Sequence, residues 1–185
     1  MMIYALLDKE TLLAKDVSLS DFLLHLKTIP NIVMLQYRNK NGSLEEKKSD
    51  LLDIRKIYTG KLIINDSIEL IDYVDGLHIG QEDIRKYSHE PKVAVRLIRE
   101  KIGSKLLGLS THNKEEIVEA NELDLNYIGL GAYRSTATKK EAGVLGDSLD
   151  QFAKESIHPV AAIGGVKSDD IFEFVTYHVI GSGLL

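Results

Sequence analysis

The stretch Ile32-Val33-Met34-Leu35-Gln36-Tyr37-Arg38-Asn39-Lys40-Asn41-Gly42-Ser43-Leu44-Glu45-Glu46 carries three signals in order: an apolar run, a polar cluster and a helix start. The run Ile32–Tyr37 is short and aliphatic, which suits a strand buried on both faces of a parallel sheet. The cluster Gln36-Tyr37-Arg38-Asn39-Lys40 overlaps its end, and an Arg directly after a buried strand needs an anionic partner or exposure. Ser43-Leu44-Glu45-Glu46 has the spacing of a capping box, in which hydroxyl and carboxylate each take a backbone N–H at the first turn. Strand, polar junction and helix together make one βα unit.

The same unit recurs in both directions along the chain. Further apolar runs lie at Ile3–Leu7, Lys61–Ile64, Gly76–Ile79, Lys105–Leu109, Tyr127–Leu130, Val160–Ile163 and His178–Ile180. Between them come helix signals. Asn113-Lys114-Glu115-Glu116 reads as a second capping box, and Ser20, Asp147 and Ser168 read as N-caps before amphipathic stretches. Leu44, Leu51, Ile54 and Tyr58 fall on one helical face, and Val93, Leu97, Ile98 and Ile102 on another. Eight strands separated by seven helices, at about 23 residues per unit, predict a compact (β/α)₈ TIM barrel, one domain spanning 1–185. A doubly wound open sheet of this many strands would be unusually wide for so small a domain. The sequence stops at Ser182-Gly183-Leu184-Leu185, so the last outer helix is expected to be missing or vestigial. The outer face of strands 8 and 1 would then expose apolar surface, covered by the preceding helices or by a neighbouring subunit in a homo-oligomer.

Composition narrows the function classes. The 185 residues carry a formal net charge of −5 with both signs interleaved, which lacks the basic footprint of a nucleic-acid binder. The absence of cysteine excludes disulfides, thiolate metal sites and a Cys nucleophile. The start Met1–Glu10 lacks a basic signal-peptide region, and no run approaches the roughly 20 apolar residues of a membrane helix. A cytoplasmic protein without membrane partners is expected.

In such barrels the chemistry lies at the C-terminal strand ends, and the polar clusters of this sequence fall there. They are Gln36–Lys40, Asn65-Asp66, His78–Asp83, Ser110-Thr111-His112, Gly129–Lys140, Gly164-Gly165 and Gly181-Ser182-Gly183. Arg38, Lys40 and Lys139 supply positive charge, and Asp66 and Asp83 supply carboxylates. That mixture suits Mg²⁺ bridging to a polyphosphate, because the ion takes one or two carboxylates plus phosphate oxygens. Gly164-Gly165 and Gly181-Ser182-Gly183 follow strands 7 and 8, the usual phosphate position, and Thr136 and Thr138 add hydroxyl donors. Singly, each cluster also has a structural reading: Asn65-Asp66 as a helix cap, Gly164-Gly165 as a tight turn, Ser110–Asn113 as a helix entry.

At these residues the chain resembles the thiamine phosphate synthase family, which shares its barrel with thiazole tautomerases of the TenI type. The resemblance runs from strand 1 to strand 8 and is most specific at Gln36–Lys40, Asn65-Asp66, His78–Asp83, Gly108–His112 and Thr136–Lys140. It implies a transferase of thiamine biosynthesis that joins hydroxymethylpyrimidine pyrophosphate to hydroxyethylthiazole phosphate, releasing pyrophosphate. It further implies that Gln36, Arg38, Lys40 and Asn65 line the pyrimidine pyrophosphate pocket, with Asp66 and Asp83 as Mg²⁺ ligands. Ser110 and Lys139 would contact the same substrate, so that Arg38, Lys40, Ser110 and Lys139 carry the catalysis. Thr136, Ala137, Thr138, Gly165, Gly181 and Ser182 would hold the thiazole phosphate. The implied mechanism is dissociative, with a pyrimidine methylene cation attacked by the thiazole nitrogen. Two alternatives share the fold: a TenI-like tautomerase using His112 without metal, and a paralogue that binds thiamine precursors without turnover. The strand-6 loop departs from the resemblance at Ala132, Arg134 and Ser135.

Overall fold

A computed structural model describes residues 1–135 and 143–185. Eight parallel strands close into a barrel in chain order: β1 (Met2–Asp8), β2 (Ile32–Arg38), β3 (Lys61–Asn65), β4 (Gly76–Ile79), β5 (Leu106–Thr111), β6 (Tyr127–Gly131), β7 (Val160–Ile163) and β8 (Tyr177–Ile180). The ring is sealed by β8 pairing with β1, where Ile3 sits opposite His178 and Ala5 opposite Ile180. The strands expected from the apolar runs are those observed, displaced at their ends by one or two residues.

The connections depart further from expectation. The helices are α1 (Lys9–Ala14), α2 (Leu19–Leu26), α3 (Leu44–Ile57), α4 (Gln81–Ile84), α5 (Pro91–Ile102), α6 (Lys114–Ala120) and α7 (Ser148–Ala153). They cover five of the seven connections. The β3–β4 link holds only a 3₁₀-helix, Ile68–Tyr73, because the ten residues from Asp66 to Asp75 leave no room for an α-helix that reverses the chain. No helix forms between β7 and β8, so Ser168 caps nothing. There backbone N–H groups are taken by side chains: the Asp150 carboxylate of α7 accepts from Glu173 and Phe174 at 2.9 Å, and Asp170, within the segment, accepts from Lys167 at 2.7 Å. With side chains taking these donors, a helix has less hydrogen-bonding advantage. Ser18, not Ser20, caps α2, its hydroxyl accepting from the Asp21 N–H, and Asp147 precedes α7 without a side-chain cap bond.

Local helix chemistry otherwise follows the sequence. The capping box of α3 is complete, with Ser43 and Glu46 exchanging bonds. Asn113 accepts from the Glu116 N–H, but Glu116 returns its bond to the His112 N–H, one residue upstream of a standard box. On α3 only Leu51 and Ile54 of the expected face are buried, while Leu44 is exposed. On α5 the buried face is Ala94, Val95, Ile98 and Ile102.

The outer core joins Ile3, Ala5 and Leu7 of β1 and Ile180 of β8 to Leu12, Phe22, Leu23, Leu26 and Leu184. The expected exposed face of strands 8 and 1 is therefore covered by α1, α2 and the short 3₁₀ turn Ser182–Leu184. Phe172 also lies edge-on over the ring of His178 at 5.2 Å, so a helix-free segment shields β8. Inside the barrel Tyr4, Met34, Ile63, Tyr127, Ala161 and Val179 form a second cluster. Glycines make room for its rings. A Cβ at Gly108 would lie 2.1 Å from the Tyr127 ring, and one at Gly129 would lie 3.0 Å from His78.

Gly108→Ala is expected to destabilise the barrel by about 1–3 kcal/mol or more, because the Tyr127 ring is held on other sides and cannot retreat. Urea denaturation of the variant measures this.

Candidate active site at the carboxyl ends of the strands

The two ends of the barrel use charge differently. At the amino end, cations are spent on carbonyls: Lys105 donates to Ile71 and Val74 at 2.6 and 2.8 Å, and Arg99 donates to Asp124 and Lys105 carbonyls at 2.9 and 2.8 Å. Those groups stabilise the fold. At the carboxyl end, several polar groups keep unused capacity.

Arg38, the last residue of β2, pairs through one nitrogen with Asp8 at 2.5 Å. Asp8 in turn caps α1 through the Thr11 N–H at 3.1 Å and the Thr11 hydroxyl at 2.7 Å. The anionic partner demanded by Arg38 is thus supplied by the chain, at a residue that the reading of the sequence did not single out. The remaining guanidinium donors carry no bond among the described residues, and Lys40 is exposed without a partner there.

Asp66 and Asp83 come together above β3 and β4. Asp66 follows β3 in a left-handed conformation, with φ of 58°, its N–H on the His78 carbonyl and its carboxylate on the Gly80 N–H at 3.1 Å. Its pKa is raised, first by desolvation and then by the charge of Asp83, against smaller opposing effects from the Gly80 N–H, Arg38 and Lys86. Asp83 also pairs with Lys86. Two carboxylates held close at an electrostatic cost suit a cation. Among the described residues no group of three or more His, Cys, Asp or Glu could hold a metal by itself. A hard cation that takes two carboxylate ligands and fills its shell with phosphate oxygens and water fits such a pair.

Behind these groups runs a buried chain of side-chain hydrogen bonds. Gln36 donates to the Tyr4 hydroxyl at 2.9 Å, and the Tyr4 and Tyr127 hydroxyls meet at 2.8 Å. Tyr127 reaches His78 Nδ1 at 3.1 Å, and His78 Nε2 reaches the Ser110 hydroxyl at 2.9 Å. Burial pushes both tyrosines well above their ordinary pKa, so they remain protonated hydroxyls. Gln81 closes over the Ser110 carbonyl at 2.8 Å, and Asn65 lies 3.4 Å from the His78 carbonyl. The sequence signal for this chain was faint: polar residues at inward strand positions beside glycines.

The opposite side of the rim is tied by Arg134. Its guanidinium grips Asp170 with two bonds of 2.6 and 2.7 Å and the Gly165 carbonyl at 2.7 Å, while its N–H reaches the Gly164 carbonyl at 2.7 Å. It also stacks over the Tyr133 ring at 4.3 Å. The Gly164-Gly165 turn, with φ of 91° and 67°, is therefore clamped to the β6 loop. Gly181 instead lies above Leu6 of β1, and the Ser182 carbonyl accepts from Lys15 at 3.1 Å. No hydrogen bond joins Gly165 to Gly181-Ser182 among the described residues. His112 is held by Glu116 through both its N–H and its ring, at 2.8 and 3.0 Å. Thr136, Ala137, Thr138 and Lys139 lie outside the described residues.

Fold and site together define a (β/α)₈ barrel with a polar, carboxylate-bearing rim at its carboxyl end. A family model described as thiamine monophosphate synthase matches residues 23–182. Thiamine-phosphate synthase of Dictyoglomus thermophilum is 34% identical over 152 residues, covering 78% of this chain and 64% of that protein. The enzyme of the same name from Persephonella marina is 34% identical over 148 residues, covering 77% of this chain and 67% of its own length. The matched part of the chain thus spans about two thirds of these relatives, and slightly less in the first. Thiamine phosphate pyrophosphorylase from Pyrococcus furiosus superposes with a TM-score of 0.78 at 20% identity, over 98% of this chain and 87% of that one. A tryptophan synthase α-subunit from the same organism reaches 0.60 at 14% identity, a likeness of fold. The chain belongs to the thiamine monophosphate synthase family.

The Arg134–Asp170 clamp predicts a pH dependence. Arg134 draws the Asp170 pKa down to about 2, below the usual unfolded value near ~4. Stability from this pair is fully present above about pH 4 and is lost as pH falls through the folded value. In thermal denaturation from pH 6 downward, wild type should exceed Asp170→Asn at the upper end, with the gap closing below pH 4. A gap that does not narrow would contradict the assignment.

Proposed function

We propose that the chain catalyses condensation of hydroxymethylpyrimidine pyrophosphate with hydroxyethylthiazole phosphate, giving thiamine phosphate and pyrophosphate. Family membership supports the reaction class. The observation that carries it to this chain is the juxtaposition of Asp66 and Asp83 with Arg38 on the same side of the rim.

In this reading Asp66 and Asp83 hold Mg²⁺. Negative charge gathering on the departing pyrophosphate is what the ion would neutralise at that pair. Arg38, kept in place by Asp8, turns its unused donors to the pyrophosphate, joined by Lys40, Asn65 and Lys139. Gln36 and Ser110 orient the pyrimidine ring. The bond between the pyrimidine methylene carbon and the pyrophosphate oxygen breaks, its electron pair leaving with oxygen. The thiazole nitrogen then supplies the pair for the new C–N bond. No side chain serves as nucleophile, so acceleration comes from charge stabilisation and placement. Thr136, Ala137, Thr138 and the clamped Gly165 turn would hold the thiazole phosphate, with Gly181 and Ser182 closing the strand-8 side. Catalysis by a small-molecule-binding barrel of this kind needs neither nucleic acid nor a membrane. No helix among the described residues is long and apolar enough to cross a bilayer. We place the activity in the cytoplasm.

Incubation of the folded protein with both phosphorylated substrates and Mg²⁺ should yield thiamine phosphate, and chelation should abolish it. Asp66→Ala and Asp83→Ala should each lower kcat/KM by about 10²–10³-fold. Folded wild-type protein that makes no product would overturn the reading, and full activity in both variants would overturn the metal assignment.

A further inference from the structure

Three consecutive carbonyls at the end of β7 all face the loop that follows β6. The Ile163 carbonyl accepts from the Tyr133 N–H at 2.8 Å, and the Gly164 carbonyl from the Arg134 N–H at 2.7 Å. The Gly165 carbonyl accepts from the Arg134 guanidinium at 2.7 Å. In an extended strand successive carbonyls point alternately to the two neighbours, so three on one side need an unusual backbone. The positive φ of Gly164 and Gly165 supplies it. A Cβ at Gly164 would also lie 2.6 Å from Ala132, and one at Gly165 2.8 Å from Arg134. A trans peptide sets its N–H opposite its carbonyl, so the N–H groups of Gly165 and Val166 turn away from the β6 loop. Neither meets an acceptor among the described residues.

We propose that Arg134 and Asp170 are positioning residues that aim the Val166 N–H at the phosphate of the thiazole substrate. The inference rests on the assignment of the Gly165 turn to that phosphate. Two successive N–H groups turned the same way offer an anion a pair of donors. Their orientations have separate causes. The Gly164–Gly165 peptide is held by the backbone N–H of residue 134, a donor that every residue except proline supplies. Among the described residues, the Gly165–Val166 peptide is bonded only by the Arg134 side chain. Without that bond it can turn over, because glycine enters φ on either side of zero at little cost. Asp170 fixes the guanidinium with bonds of 2.6 and 2.7 Å and takes the next N–H, that of Lys167, at 2.7 Å. Its carboxylate is only 10% exposed, so solvent competes little for the guanidinium. Asp170 also balances the Arg134 charge, so the pair acts on the phosphate through the peptide rather than by direct attraction.

The test uses the whole chain as wild type, Arg134→Met and Asp170→Asn, with thermal melts as a check on folding. Both variants should raise KM for hydroxyethylthiazole phosphate about tenfold, leaving KM for the pyrimidine pyrophosphate as in wild type. An unchanged thiazole KM, or an equal rise in both constants, overturns the proposal. A lower thiazole KM in Asp170→Asn does so too, because it would show the freed Arg134 charge attracting the phosphate directly. Amide NMR separates positioning from a general loosening of the rim. Saturating hydroxyethylthiazole phosphate should move the Gly165 and Val166 ¹⁵N–¹H signals of wild type, and only that of Gly165 in Arg134→Met. A Val166 signal that moves equally in both proteins, or that stays still in wild type, overturns the proposal. If wild type forms no thiamine phosphate, the synthase reading fails, and the same two amides are followed with inorganic phosphate. Movement of both in wild type and of Gly165 alone in Arg134→Met then supports the positioning role, and any other pattern overturns it.

Discussion

A barrel closed by β8 on β1 has no edge, so any polar group that points inward must find its partner inside. That constraint shapes the molecule from its centre outward. Tyr127 enters the interior only because Gly108 leaves it space, and His78 only because Gly129 does. Once inside, their polar atoms are satisfied by each other and by Tyr4, Gln36 and Ser110. The interior is therefore divided between apolar side chains, Met34, Ile63, Ala161 and Val179, and a hydrogen-bonded polar chain that reaches Gln36 and Ser110.

This division explains how a small barrel carries a site with few free parts. Arg38 is placed by Asp8, which also starts α1, so one carboxylate both caps a helix and aims a cation. Arg134 is placed by Asp170, which also orders the segment between β7 and β8. In each case one carboxylate holds the cation and also serves a backbone N–H nearby. The exception is the Asp66 and Asp83 pair, where like charges are kept close and one carboxyl is driven upward in pKa. Repulsion is tolerated there because the surrounding backbone, pinned by the Gly80 N–H and the His78 carbonyl, leaves Asp66 little freedom to withdraw.

Much of this was legible before any coordinates. The strand positions followed from short apolar runs, and the α3 cap from Ser43 and Glu46. Gln36, Arg38, Asn65, Asp66, Asp83 and Ser110 were singled out as candidates because polar residues at or near the ends of buried strands stand out against their neighbours. Asp8 was missed because it looks like an ordinary strand end, and Tyr4 and Tyr127 because a tyrosine in an apolar run reads as core. The Ser168 helix was overcalled, since a plausible cap says nothing about whether another segment will take the backbone donors first.

Local pattern, then, was enough for the number and order of strands, the closed architecture and the side of the barrel that carries the polar rim. These depend on periodicity and on residue type, which neighbours in sequence express directly. Only the tertiary structure decided which connections are helical, which carboxylate serves which cation, and how Gln36 is linked to Ser110. Those outcomes depend on partners far apart in the chain, such as Tyr4 and Tyr127 or Arg134 and Asp170, whose meeting follows from barrel closure and from the space that glycines leave.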